Sequence, residues 1–176
     1  DEWLDIEFEN IPTNNSPRTV SFWYKQSAIN DESDGASTAF HYGEIVSNKR
    51  WASLIWPDRP SLIGQGNDAG FSSLNTVQNI ETPLLMWHHV VFTFDGATLR
   101  CYINGDLGFT AEKNYNTSAT SLRLGKSSDN HNDGEYFQGK IDDFGVWNRP
   151  LDDEEIIELY LAETCLLYTS DAADDQ

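Results

Sequence analysis

The run GKIDDFGVW, residues 139 to 147, holds two acids where the alternation of a strand has room for one. Ile141 is apolar and the next apolar side chains are Phe144 and Val146, so a β-bulge at Asp142-Asp143 is expected to absorb the extra residue. A bulge re-aims a side chain. A carboxylate turned toward the protein interior must then find a cation or hydrogen-bond donors, because burying it bare is prohibitive. Calcium is the natural cation for such an oxygen ligand; the competing reading has Asp142 accept bonds from backbone amides and from Arg149.

A second oxygen-rich run, Asp129-Asn130-His131-Asn132-Asp133-Gly134-Glu135, sets oxygen ligands at alternate positions with a glycine for the sharp turn. It is not an EF-hand, since His131 falls on a ligand position and Lys140 falls where a bidentate Glu belongs. Asp129 and Asp133 are its metal candidates, and a solvated hairpin loop is the competing reading. Asp31, Glu32 and Asp34 make a similar, weaker case.

Asp5, Glu7 and Glu9 alternate as if on one strand face, which raises glycoside hydrolysis, where a retaining enzyme needs two carboxyl groups about 5 Å apart. Trp3 stands where a further acid belongs, and no enzyme is expected. Adjacent His88 and His89 point to opposite faces of a strand and cannot chelate together, and no Ser-His-Asp or Cys-His pattern is recognisable. Trp51 and Trp56 stand beside the polar, proline-containing segment WPDRP and are candidates for stacking on sugar rings. Large aromatics more often fill a sandwich core, which is the reading for Trp23, Trp87 and Trp147. Asn14-Asn15-Ser16 and Asn116-Thr117-Ser118 match the N-glycosylation pattern, a match that chance supplies often.

The elements that must position these residues read as strands. In WHHVVFTFDGATLRCYINGD, residues 87 to 106, His88, Val90, Phe92 and Phe94 share one face, and Leu99, Cys101 and Ile103 share one face of the next strand. Asp95-Gly96 and Asn104-Gly105 supply the turns, so three strands follow in meander order. Residues 3–8, 19–26, 40–48, 51–56, 121–124 and 136–147 give further strands, and the glycine-rich 64–73 is unassigned. One helix closes the domain: Asp152 caps it, Glu155 completes a capping box, and Ile156, Leu159 and Tyr160 form its apolar stripe. Turn signals at this spacing favour an all-β sandwich of two antiparallel sheets.

At 176 residues, 39% hydrophobic and 12% aromatic, the chain fits one self-folding domain. Eleven Lys and Arg against 29 Asp and Glu give a formal charge of −18, which argues against nucleic acid or an anionic membrane as partner and leaves neutral sugars, cations or proteins. No run is apolar enough to cross a bilayer. Cys101 falls in phase with the inward residues of its strand and reads as a buried thiol. The chain opens on Asp1-Glu2-Trp3-Leu4 with no starting methionine or signal pattern, and is expected to be a piece of something larger. Its last stretch, CLLYTSDAADDQ, resembles the in-frame translation of a transposase mosaic end and sequencing linker. The domain is therefore expected to be 1–164, with 165–176 outside the fold.

Three stretches resemble the laminin-G-like, concanavalin A-like jelly-roll lectin domains: PRTVSFWYK (17–25), the 87–108 hairpin, and GKIDDFGVWNRPLDDEEIIELY (139–160). The resemblance implies a jelly-roll sandwich with one short C-terminal helix. It also implies a structural calcium held by the acid at Asp142 together with an acid near the first strand, Asp1 or Asp5. The function it implies is a non-catalytic carbohydrate-binding or adhesion module of an extracellular or cell-surface protein, with a glycan or extracellular protein as partner. A structural spacer without a glycan site is the alternative. Binding is expected at one rim or on the concave sheet, in loops 29–38, 64–73 and 126–135, with Asp34, Asn67, Asp68, His131 and Asn132 as ligand-binding candidates beside Trp51 and Trp56.

Overall fold

The computed structural model describes residues 3–29, 37–46, 49–56, 59–63, 74–77, 80–127 and 136–171, with the course of the backbone alone over 59–63, 74–76 and 163–171. The described strands are β1 Leu4–Ile6, β2 Arg18–Gln26, β3 Ser37–Gly43, β4 Arg50–Trp56, β5 Arg59–Ile63, β6 Leu74–Thr76, β7 His88–Phe94, β8 Thr98–Ile103, β9 Asp106–Glu112, β10 Leu122–Leu124 and β11 Gly139–Trp147, followed by helix α1 Asp153–Asp171. They form two antiparallel sheets, one in the order β1-β10-β3-β4-β5-β6 and the other β11-β2-β7-β8-β9. This is the expected sandwich.

The alternating residues decide the layers. Val20, Phe22 and Tyr24 of β2, Val90, Phe92 and Phe94 of β7, and Leu99, Cys101 and Ile103 of β8 meet Phe40, Tyr42, Trp51 and Ile55 of the facing sheet. Phe22, Phe40 and Phe144 form an aromatic triangle with centroids 5.7 to 5.9 Å apart. Each such buried side chain contributes about 1.5–3 kcal/mol. The opposite phase of the second sheet is a smaller core: Val91, Tyr102, Leu151 and Ile156, with Trp147 and Leu159 packed against it, seat α1 on the outside.

The turns follow the sequence signals. Asp95 accepts bonds from the Ala97 and Thr98 amides at 3.0 and 2.7 Å, and Asn104 and Gly105 hold φ of 52° and 86° in the next hairpin. The capping box is made in both directions, Asp152 to Glu155 and back, each at 3.0 Å. The bulge falls where the acids predict it, as a register shift between Asp142 and Gly145, with Asp143 at φ 48°.

Several boundaries differ from the sequence reading. β1 ends at Ile6, so Glu7 and Glu9 lie beyond the strand and do not extend an acidic face from Asp5. β3 starts at Ser37, inside the expected loop, and stops at Gly43, whose φ of 87° turns the chain. β5 was not expected because Pro60 interrupts its pattern. The backbone of α1 runs on to Asp171, past the apolar stripe.

Candidate functional site

One cluster of aromatic and cationic side chains lies at the end of the sandwich where β1, β3 and β11 begin and β10 and β4 end. Trp3, just before β1, is 46% exposed. Its ring centroid lies 6.2 Å from that of Tyr136, and the Lys126 ammonium sits 4.3 Å from the Trp3 centroid and 4.9 Å from that of Tyr136. A cation between two ring faces holds both rings in one orientation. Half-buried Trp56 ends β4 at the same end of the sandwich.

The strand register explains the cluster. Leu4 pairs with Leu124 and Asp5 with Arg123; Ile6 packs against the core, Leu4 is 56% exposed, and Trp3 and Asp5 share the other face of the chain. Asp5 is not a free ligand: Arg123 clasps both its carboxylate oxygens at 2.6 and 3.0 Å and also donates to the Ser127 carbonyl at 3.3 Å. Its two oxygens are thus committed to a guanidinium, which does not fit the calcium role expected for it.

Asp142 departs from expectation in a different way. Its carboxylate is exposed and accepts from the Asp143 amide at 2.9 Å, so the bulge turns it outward and not into the sandwich. Arg149, the other expected partner, forms a bidentate pair with Glu155 at 2.8 and 2.5 Å. That pair holds the Glu155 carboxyl down to about 2. Partial desolvation first, then the neighbouring Asp142 charge, raises the Asp143 carboxyl. No group of three or more His, Cys, Asp or Glu able to hold a metal occurs among the described residues.

Trp51 cannot stack on a sugar. It is 0% exposed, packs against Phe94 and Tyr115 with centroids 6.0 and 5.0 Å away, and belongs to the core. Trp23 is buried but lies under α1, stacked on His89 and Tyr160, and not between the sheets. His88 and His89 do face opposite ways: His88 packs on Tyr24 of the core, while His89 bonds Ser21 at 2.8 Å under the helix. Burial lowers the His89 imidazole to about 4. Cys101 is a buried free thiol whose burial pushes its pKa up.

His41, Arg50, Ala52 and Leu54 alternate with core residues of β3 and β4 and are themselves buried. Asp1, Asp34, Asn67, Asp68, Asp129, His131, Asn132 and Asp133 lie outside the described residues. The reading from sequence missed Trp3, Lys126 and Tyr136. The available signal was an aromatic, Trp3, on the otherwise acidic face of its strand.

A family model described as the concanavalin A-like lectin/glucanases superfamily matches residues 3–157. No curated protein is detectably similar in sequence. Among solved structures, a heptameric SAP-like pentraxin from Limulus polyphemus superposes with a TM-score of 0.67 at 19% identity, over 90% of this chain and 75% of that one. Domain 4 of AbnA, an extracellular arabinanase from Geobacillus stearothermophilus, in complex with arabinotriose, gives 0.63 at 20%, over 85% and 68%. A putative carbohydrate binding protein from Bacteroides ovatus gives 0.68 at 16%, over 89% of this chain and 44% of that one. Identities this low establish a shared fold and no more.

Proposed function

Because the chain belongs to the concanavalin A-like lectin/glucanase superfamily, we propose that it is a non-catalytic carbohydrate-binding or adhesion module of an extracellular or cell-surface protein. The glycan is engaged at the rim marked by Trp3, Lys126 and Tyr136. The observation that carries this reading is the exposed Trp3 ring, pre-oriented against Lys126 and Tyr136. A fixed aromatic face takes the C–H side of a sugar ring while neighbouring polar groups take its hydroxyls.

Support for a non-catalytic role comes from the acids. Asp5 is tied to Arg123, and Glu7 and Glu9 lie past the end of β1, so the three do not form the acidic strand face that their alternation suggests. Two of the similar structures bear on carbohydrate, the putative carbohydrate binding protein and the arabinanase domain with bound arabinotriose. Calcium enters as a stabilising ion with Asp142 and Asp1 as ligands, and the run holding Asp129 and Asp133 is a separate candidate; Asp5 is withdrawn by its guanidinium.

The test is a broad glycan array with the full chain and with Trp3→Ala, each in calcium and in chelator. Selective binding lost in Trp3→Ala supports the rim site. A blank array in both conditions returns the chain to the spacer or protein-adhesion reading.

A further inference from the structure

The opposite end of the sandwich carries a second feature. There the segment joining β1 to β2, the residues just before β10 and Asn148 just after β11 enclose an open groove of about 870 Å³. Phe8, 44% exposed, lies on its wall between Glu7 and Glu9, and Asn10, Ser121 and Asn148 also line it. No Lys or Arg is among its described lining residues.

The groove is fixed from below. Arg18, fully buried at the start of β2, donates to the carbonyls of Pro12, Thr13, Asn14 and Ser16 at 2.6 to 3.3 Å, so the β1–β2 segment is wrapped around one guanidinium. The same group reaches Tyr42 at 3.0 Å and Thr117 at 3.1 Å. Asn14 and Thr117 exchange backbone bonds, and the Asn15 amide ties Gly96 and Tyr115 to the segment. A rigid concave wall binds without first paying for its own ordering.

We propose that this groove is a second carbohydrate site, distinct from the Trp3 rim, that takes a short neutral glycan. The chemistry selects that class. Phe8 offers an apolar face for a sugar ring, the amides and hydroxyl around it both donate and accept, and the two carboxylates accept from vicinal hydroxyls. The Glu7 and Glu9 carboxylates on its wall, outnumbering the one guanidinium buried beneath it, disfavour uronic, sialic or sulfated sugars. The inference goes beyond the rim reading, and the two can fail separately.

The experiment is an amide-resolved NMR titration of the full chain with short neutral oligosaccharides of the cello, manno, xylo and arabino series. Phe8→Ala and Asn148→Ala are run alongside; both side chains are on the surface, so neither change opens the core. Shifts are expected at residues 7–13, 119–121 and 148 with at least one series, with affinity about tenfold weaker in Phe8→Ala and reduced in Asn148→Ala. Shifts confined to the Trp3 rim overturn this site and leave the proposed function standing. No shifts at either end, with the glycan array blank, overturn both. Groove shifts that survive Phe8→Ala at full strength also overturn the assignment.

Discussion

The Arg18 guanidinium carbon lies 4.9 Å over the centre of the Trp51 ring, and neither side chain has any exposure. A second ring, Phe94, is 5.9 Å away, and the hydrogen bonds described above run to carbonyl and hydroxyl oxygens. The cation is thus stabilised by aromatic faces and oriented dipoles. This one residue ties the core to the β1–β2 segment. Arg18→Lys keeps the charge and loses the fork, stranding several acceptors, so it should lower unfolding stability by about 2–4 kcal/mol. Urea unfolding measures this; a loss below about 0.5 kcal/mol would show the fork to be dispensable.

The two hairpin glycines separate strain from collision. A Cβ at Gly43 would stand 2.0 Å from the Lys49 carbonyl oxygen at φ 87°, so Gly43→Ala must move backbone and should cost about 2 kcal/mol or more. A Cβ at Gly105 meets side chains at ordinary contact distance, the Tyr160 ring at 3.4 Å and Ile157 at 4.0 Å, so Gly105→Ala is strained chiefly by its φ of 86° and should cost about 1 kcal/mol. Equal losses in thermal unfolding would refute the distinction.

His89 should set part of the acid limit of stability. Its folded pKa, about 4, is below the ordinary 6.5, so the unfolded chain takes up the proton first. The stabilisation is complete above pH 6.5 and is lost as pH falls toward 4, amounting to about 2 kcal/mol by pH 5. His88, lowered by burial, acts in the same direction. Comparing His89→Gln with the parent at pH 7 and pH 5 checks this, because the variant should lose less stability between the two; parallel losses would exclude His89 as a source.

Calcium binding, if Asp142 is a ligand, should raise the thermal midpoint by about 5 to 10 °C at a hundredfold excess over its dissociation constant. Asp142→Asn should abolish that rise. A midpoint indifferent to calcium and chelator removes the ion from the proposal.

The architecture was legible because its signals are local. Alternation at His88–Phe94 and Thr98–Ile103, the Asp-Gly and Asn-Gly turns, the doubled acid at 142–143 and the Asp152-Glu155 box each act over a few residues, and each reappears as a strand, turn, bulge or cap. Strand ends were less legible. β1 stops at Ile6 although the apolar alternation continues to Phe8, because its partner β10 is only three residues long.

The sequence by itself determined the two-sheet class, the faces of the central strands, the bulge and the closing helix, since period and turn chemistry are properties of neighbouring residues. Tertiary structure alone decided which aromatics and acids are available. Trp51 in β4 and Trp3 just before β1 are the same residue type, yet one is enclosed beneath Arg18 and the other stands open beside Lys126. Asp5 is neutralised by an arginine 118 positions away, and the groove at Phe8 is enclosed by three segments remote in sequence. Burial and ion pairing depend on which surfaces the two sheets bring together, and spacing along the chain does not encode that.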